Sequence, residues 1–227
     1  MIKEEKKIGV IGGGNYAKIV ISILKQISLF EIVGYTDVSD NGSILGVKYL
    51  GNDDILIKLF ENDKIKFAAI GIGQLYSTNV KRKVVLELKK IGYNFPVIIS
   101  PTAFINEDVS IGEGTIIRNN ALISVSTKIG DFSIIGTSVN INHDTQIGNY
   151  TNVTIGSNIG IECVIGDNIL IGMSSIVMNY VKIVVDRCLL LRPTDQNAIK
   201  YDTKLPEVRI YTSPSDQTYF KYSRQIA

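Results

Sequence analysis

The sequence predicts two domains of different fold class: an N-terminal α/β domain with a Rossmann-like parallel sheet, and an all-β parallel β-helix. Strand and helix patterns alternate over about the first 95 residues, which favours a parallel sheet. From residue 99 onward every sixth residue is Ile or Val, as far as Ile183. A period of six with an inward aliphatic residue is typical of a parallel β-helix. The predicted domains are residues 1–98 and 99–185, followed by a tail of unclear role at 186–227.

The N-terminal elements follow from local patterns. Short apolar runs that end in glycine or a polar residue predict strands, and apolar residues at helical spacing predict helices. The predicted strands are "KIGVIGG", "FEIVGYTD", "FAAIGIG" and "FPVIIS". The predicted helices are "YAKIVISILKQIS" and "STNVKRKVVLELKKIG".

The second half carries two superimposed periods. Residues two positions before each Ile or Val are mostly small or β-branched, as at Thr115 and Ser133. A glycine followed by an acidic residue or Asn recurs every eighteen residues, at Gly112, Gly130, Gly148 and Gly166. Eighteen is three repeats of six, so one coil is predicted to be a three-sided prism. We expect these glycines at one corner of successive coils, where glycine tolerates turn dihedrals. In the tail, a short hairpin is expected around "EVRIYT".

Composition narrows the classes of function. The net charge of +2 over 227 residues predicts no nucleic-acid partner, and no run approaches the ~18 apolar residues of a membrane helix. The apolar run at the N-terminus is too short for a signal peptide, so a cytoplasmic location is expected. Two cysteines and one histidine are a poor zinc set, so no metal site is predicted.

The first candidate site is a glycine-rich loop. "GGGNYA", from Gly12 to Ala17, fits G-x-G-x-x-G/A between a predicted strand and a predicted helix, and Asp37 ends the second strand. Backbone N–H groups and the helix N-terminus would cradle a phosphate. The alternative interpretation is a tight structural turn.

The second candidate is His143, the single histidine of the chain. Ile141 points inward in the repeat, so His143 is predicted to face outward at a corner. An imidazole with a pKa near working pH suits general-base catalysis, and a solvated surface residue is the alternative. Asp144 either orients the imidazole or is an ordinary turn residue.

These features together resemble one family. "VIGGGNYAK", "GYTD", "AIGIG", "VIISPTAFI" and "NHDTQIGNYTNVTIG" are similar to segments of bacterial sugar acetyltransferases of the PglD/NeuD type. The resemblance covers roughly residues 7 to 183. It implies a left-handed β-helix, a homotrimer with active sites between neighbouring subunits, acetyl-CoA as co-substrate and a nucleotide-linked amino sugar as acceptor.

The resemblance also implies roles for individual residues. His143 would be the general base and Asp144 its partner. The nucleotide sugar would be bound by Gly12, Gly13, Gly14, Asn15, Tyr16, Asp37, Gly71 and Gly73. Acetyl-CoA would lie along Asn152, Gly160 and Ile161. Two features depart from the family: Ile161 replaces a common glycine, and the usual Gly-x-Pro-Ala-Lys ending is missing.

The leading functional hypothesis is an acetyl-CoA-dependent N-acetyltransferase acting on a UDP- or dTDP-linked 4-amino-4,6-dideoxysugar. A sialic-acid-type O-acetyltransferase is a close variant. A nicotinamide-dependent oxidoreductase would leave His143 unexplained. Ile161 and the unusual tail keep open a non-catalytic, trimeric nucleotide-sugar-binding scaffold. No nucleic acid, membrane insertion or metal is expected.

Overall fold

The computed structural model of the chain describes residues 6–62, 64–73 and 78–184, and strands at 189–191, 199–201 and 209–211. The chain forms two compact units that divide after Pro101. We describe each unit separately.

The N-terminal unit contains a four-stranded parallel sheet in the order β3-β2-β1-β4, which confirms the predicted parallel sheet. The helices α1 and α3 match the two predicted helices. The elements are β1 (Lys6–Ile11), α1 (Asn15–Ile27), β2 (Phe30–Thr36), β3 (Tyr49–Gly51), α2 (Ile55–Glu61), β4 (Phe67–Ile70), α3 (Asn79–Ile91) and β5 (Ile98–Ile99).

The predicted strand "FPVIIS" is confirmed only as the two-residue strand β5, and its expected place in this sheet is wrong, because β5 lies outside it. The chain touches the edge of β4 at one residue, where the Asn94 N–H donates to the Lys66 carbonyl. Pro96 follows, and a proline has no N–H to give to a ladder. The fourth strand of the sheet is instead β3, which is only three residues long and therefore too short to be predicted from its sequence pattern.

Helix α1 buries an apolar stripe against the sheet, and α2 and α3 pack against each other. Ala17, Val20 and Leu24 of α1 are fully buried. The exception to this apolar pattern is Lys81, in the first turn of α3, whose side chain is buried as well. Removal from water disfavours the charged ammonium and lowers the pKa of Lys81 to about 7.

The second unit is a stack of short strands that recur every six residues, as the sequence predicted. They are β6 (Phe104–Ile105), β7 (Ser110–Ile111), β8 (Ile116–Ile117), β9 (Leu122–Ile123), β10 (Lys128–Ile129), β11 (Ile134–Ile135), β12 (Asn140–Ile141), β13 (Gln146–Ile147), β14 (Asn152–Val153), β15 (Asn158–Ile159), β16 (Val164–Ile165), β17 (Leu170–Ile171), β18 (Ile176–Val177) and β19 (Lys182–Val184).

Every third strand pairs in parallel, so each residue meets the one eighteen positions later, as Lys128 meets Gln146. Three faces result. Face 1 holds β7, β10, β13, β16 and β19; face 2 holds β8, β11, β14 and β17; face 3 holds β6, β9, β12, β15 and β18. The predicted three-sided prism is thereby confirmed.

The small residues two positions before each inward aliphatic form an internal hydroxyl column. Thr115 Oγ1 donates to the Gly130 carbonyl at 2.7 Å and accepts from the Ser133 N–H at 3.0 Å. Ser133 repeats the pattern one coil up, with the Gly148 carbonyl and the Thr151 N–H. Buried corner backbone groups are therefore paired, which a buried backbone requires.

The expected reason for the recurring glycines is wrong. Gly112, Gly130 and Gly148 do not have positive φ; that conformation falls two residues later, at Gly114 and Phe132 for example. A Cβ at Gly130 would lie 2.7 Å from the Asn149 nitrogen of the next coil. These positions need glycine because stacked coils leave no room for a side chain.

The tail contributes two pairings. The strands β20 (Leu189–Leu191) and β21 (Ile199–Tyr201) pair antiparallel, and β22 (Arg209–Tyr211) pairs antiparallel with β19. A strand thus lies within "EVRIYT", but its partner is β19, so the hairpin predicted there is wrong. The remaining residues of that segment lie outside the described part of the chain.

Candidate active site

The glycine-rich loop lies between β1 and α1. Gly12 has a φ of 100°, which favours glycine, and its N–H donates to the Thr36 carbonyl at 2.8 Å. Gly14 is the N-cap of α1 with no side-chain cap, and a Cβ there would meet nothing within 4 Å. Gly14 therefore borders open space at the N-terminus of the helix, and a helix N-terminus suits an anion.

Asp37 ties the glycine loop to the end of β2. Its Oδ2 accepts the Gly13 N–H at 2.6 Å and the Asn41 Nδ2 at 3.2 Å, while Oδ1 accepts the Val38 N–H at 2.6 Å. A Cβ at Gly13 would lie 2.9 Å from the same Oδ2. The carboxylate thus positions the loop, and much of its accepting capacity is used inside the chain.

The remaining predicted nucleotide-binding residues close the same edge of the sheet. A Cβ at Gly71 would lie 2.9 Å from the Gly12 carbonyl oxygen, so the ends of β1 and β4 are in contact. Tyr16 packs on Gly73, where a Cβ would lie 3.3 Å from the Tyr16 Cβ. The order β2-β1-β4 makes this edge a topological switch point, the usual ligand position in such sheets.

Asn15 begins α1 and is exposed, and its side-chain oxygen accepts the Lys18 Nζ at 3.2 Å. Lys18 is exposed too, at the first turn of the helix. Both side chains thus reach solvent beside Gly14. The structure brings together all eight residues of the predicted nucleotide-binding set.

His143 lies at the corner that joins β12 on face 3 to β13 on face 1. Its side chain is 43% exposed, so it is not a core residue. Nδ1 lies 2.8 Å from Asp144 Oδ2. A carboxylate accepts only, so Nδ1 carries the proton and the lone pair of Nε2 is left to take another.

Asp144 combines both roles that the sequence left open. Its φ of 57° is the left-handed turn conformation, which Asp tolerates. Its N–H donates to the Val125 carbonyl at 3.2 Å on the coil below. The turn aims its carboxylate at the neighbouring imidazole, so the turn and the His–Asp pair are one feature.

The residues around the histidine are braced across coils. Asn142 Nδ2 donates to the Ile159 carbonyl at 2.9 Å, and Thr127 Oγ1 donates to the Asn142 carbonyl at 3.2 Å. The His143 carbonyl accepts the Glu162 N–H at 3.1 Å. The backbone that carries the imidazole is therefore held from above and below.

Gly160 and Ile161 lie on the same corner, one coil above His143. A Cβ at Gly160 would lie 2.6 Å from the Asn179 nitrogen, so coil stacking alone requires this glycine. Ile161 is partly buried, and its N–H donates to Asn179 Oδ1 at 3.1 Å. Val125 holds the equivalent position below, so the imidazole lies between two aliphatic positions.

Asn152 is not brought to this corner. It lies on β14 of face 2, whereas His143 joins faces 3 and 1, so Asn152 is on the side of the prism opposite the histidine. Only 6% of it is exposed. Within one chain it does not meet a group bound at His143.

Face 1 carries a shallow trough of about 670 Å³ beside this corner. Its walls include Asp144, Glu162 and Tyr180, and Lys128 and Lys182 stand on its strand side. Glu162 was not among the site residues predicted from the sequence. The eighteen-residue period contained the signal, because one step from Asp144 reaches it.

Among the described residues, no group of three or more His, Cys, Asp and Glu side chains is placed to hold a metal ion. No helix in the described ranges combines the length and apolar character needed to cross a bilayer.

Residues 7–88 match the family model of the PglD N-terminal domain. That segment carries the glycine loop, Asp37 and the Gly71–Gly73 wall. Among curated proteins, none matches the sequence significantly.

Solved structures match across both units. GDP-perosamine N-acetyltransferase from Caulobacter crescentus is 22% identical, with a TM-score of 0.66 over 86% of this chain and 97% of that one. The acetyltransferase domain of PglB from Neisseria gonorrhoeae is 17% identical, with a TM-score of 0.70 over 83% and 98%. WeeI from Acinetobacter baumannii is 21% identical, with a TM-score of 0.56 over 80% and 97%. These likenesses confirm the predicted fold class, and the family-model match confirms the predicted resemblance over residues 7–88.

Proposed function

We propose that the protein is an acetyl-CoA-dependent N-acetyltransferase whose acceptor is a nucleotide-linked 4-amino-4,6-dideoxysugar. The observation that carries the proposal is the His143–Asp144 pair at an exposed coil corner. Its 2.8 Å contact leaves Nε2 able to accept a proton.

The similar structures support this class of reaction. The Caulobacter enzyme was crystallised with CoA and GDP-perosamine, also as mutants in which a histidine is replaced by Ala or Asn. The Neisseria domain was crystallised with acetyl coenzyme A. For this chain we propose the same two substrate classes, acetyl-CoA and a nucleotide-linked amino sugar. Binding measurements with different nucleotide sugars identify the nucleobase.

His143 acts as the general base. As the amine nitrogen attacks the thioester carbonyl, Nε2 takes the proton that the nitrogen must lose. Asp144 stabilises the resulting imidazolium and holds the ring in one tautomer. His143 then returns the proton to the departing thiolate, which leaves the amide and free thiol.

The glycine loop holds the diphosphate of the acceptor. The open space before Gly14 admits phosphate oxygens to the first N–H groups of α1. Asp37 keeps the Gly13 segment in place, and Asn15 and Tyr16 border the same space. Gly71 and Gly73 are small enough to let the strand ends approach.

Acetyl-CoA lies along the corner that carries Gly160 and Ile161, and the active form is a homotrimer. Within one chain Asn152 lies on the face opposite His143, so any contact of Asn152 with acetyl-CoA would come from a neighbouring subunit of the trimer. Light scattering coupled to gel filtration should give three times the chain mass.

The function is tested with a ligand panel. Thermal unfolding is measured with acetyl-CoA, NAD, and UDP-, dTDP- and GDP-linked 4-amino-4,6-dideoxysugars, since ligands that bind only the folded state raise the melting temperature. Mass spectrometry then follows transfer from acetyl-CoA. We expect stabilisation by acetyl-CoA and one amino sugar, and a product heavier by one acetyl group. Stabilisation by NAD alone, or by a sugar without transfer, contradicts the proposal.

A further inference from the structure

We propose that Glu162 binds the ammonium group of the acceptor and makes the site selective for an amino sugar over the corresponding hydroxyl sugar. This inference rests on the proposed function, and it decides between N- and O-acetylation.

Glu162 lies close to the His143–Asp144 pair. Glu162 is one eighteen-residue step above Asp144, and its N–H donates to the His143 carbonyl at 3.1 Å. The φ values of the two acids, 53° and 57°, are nearly equal. Their side chains therefore leave the corner in similar directions, and both line the trough of about 670 Å³. Successive coils are about 4.8 Å apart, so a group on Glu162 is within one coil of the imidazole.

The carboxylate of Glu162 is available to a ligand. Glu162 is exposed, and within the described part of the chain no hydrogen bond or ion pair engages its carboxylate. Asp108 in the same trough differs, because its Oδ2 accepts Ser126 Oγ at 3.1 Å. Asp144 is engaged by His143. Glu162 is thus the acid of this column whose oxygens are open to a ligand.

The negative charge of Glu162 favours an ammonium group over a hydroxyl group. A hydroxyl group offers a carboxylate one neutral donor, whereas an ammonium offers three charged ones, and charge-assisted hydrogen bonds are about twice as strong. The amine of an unreacted amino sugar is largely protonated near neutral pH. An acidic group beside the base therefore captures the form of the acceptor that predominates in solution.

The protons balance with the proposed reaction. The bound ammonium first releases one proton to water, which frees the lone pair of nitrogen. The nitrogen then attacks the thioester carbonyl, His143 takes the second proton, and the C–S bond breaks. The thiolate recovers that second proton from His143. One acetyl group is transferred and one proton is released to solvent.

The test compares two acceptors that share a nucleotide and differ only at carbon 4, which carries an amine in one and a hydroxyl in the other. Calorimetry gives Kd for each with the full chain, Glu162→Gln and Asp108→Asn. We expect the full chain to bind the amine about tenfold tighter, which is about what one charge-assisted hydrogen bond contributes at an exposed site. Glu162→Gln should bring the ratio close to one, and Asp108→Asn, the matched control in the same trough, should keep it.

An unchanged ratio in Glu162→Gln, or equal affinities in the full chain, overturns the inference. Binding needs no turnover, so the two proposals fail separately. Loss of selectivity in Glu162→Gln without any acetyl transfer would refute the proposed function and leave this recognition site standing. Transfer with a ratio that ignores Glu162 would refute only this inference.

Discussion

The two units use glycine for different purposes. In the β-helix, Gly130 stands where the next coil touches it, and its place in an eighteen-residue period follows from stacking. In the N-terminal loop, Gly14 stands before open space and belongs to no repeat. Periodic glycines thus report on packing, whereas the isolated glycine reports on access for a ligand.

The largest expected effect breaks this comparison at Gly130. Gly130→Val places a side chain 2.6 Å from Asn149 Oδ1 and 2.7 Å from backbone of the next coil, so the stack must open. We expect a loss of about 4 kcal/mol or more in the free energy of unfolding, because overpacking against backbone cannot relax.

Gly14→Ala is the matched variant in the other unit. Its Cβ meets nothing, so stability should change by less than about 1 kcal/mol while affinity for the nucleotide sugar falls. Urea unfolding measures both variants. Equal destabilisation would contradict the distinction.

The next expected effect is a pH dependence of stability that arises from a difference between the interiors of the two units. The β-helix core is lined by paired hydroxyls, whereas the N-terminal unit buries Lys81, whose pKa burial lowers to about 7. Between pH 7 and the ordinary pKa of 10.5, the unfolded chain holds a proton that the folded chain lacks. Stability therefore rises with pH across that window, by at most about 1.4 kcal/mol per pH unit.

Lys81→Met removes the titrating group. The variant should be more stable than the parent below pH 7, where folding of the parent removes a charged ammonium from water, and the difference should shrink toward pH 10. Chemical unfolding at pH 6, 7.5 and 9 measures the difference, and other titrating groups cancel in it. A difference independent of pH would refute the account of Lys81.

A smaller effect compares the two aspartates. Asp144→Asn cannot stabilise an imidazolium, so kcat should fall about 10- to 100-fold with KM for the acceptor little changed. Asp37→Asn loosens the Gly13 segment, so KM should rise several-fold at nearly constant kcat. Steady-state kinetics separates these patterns, and exchanged patterns would reverse the proposed division of roles.

The smallest effect concerns Ile161. Ile161→Gly removes an aliphatic side chain beside the imidazole without moving the corner, since Asn179 still holds the backbone N–H. We expect KM for acetyl-CoA to change less than about tenfold, with better use of longer acyl-CoA donors, because one or two methylenes in an apolar site are worth about 1–3 kcal/mol. Identical donor preference in the variant would mean that Ile161 does not border the acyl group.

The β-helix was almost fully predictable from the sequence, because each coil repeats one physical requirement. The step from Ile141 to Ile147 fixed the outward direction of His143, and the eighteen-residue period fixed its neighbours. The misassigned glycine rationale has the same origin: a period gives position but not cause. Gly112 and Gly114 both lie near one corner. Only the structure shows that Gly112 is required by coil stacking and Gly114 by its positive φ.

The N-terminal unit was less predictable, since its details depend on contacts distant in sequence. The short strand β3 has no pattern of its own. "FPVIIS" has a strand's composition, but the chain meets the free edge of β4 only at Asn94, just before Pro96. The bond from Gly13 to Asp37 joins residues 24 apart. Asn152 is nine residues, or half a coil, from His143, so within one chain it lies on the opposite face, and its place beside acetyl-CoA stays a prediction.

The central claim is that His143 Nε2 takes the proton of the attacking amine. Its most direct measurement is the transfer rate from acetyl-CoA to the amino sugar identified in the ligand panel, for the full chain and for His143→Ala, with acetyl-CoA affinity measured alongside. General-base catalysis contributes about 10²- to 10⁴-fold, so kcat should fall by about a thousandfold while acetyl-CoA affinity and melting temperature stay near those of the parent. Turnover within a few-fold of the parent would contradict the account.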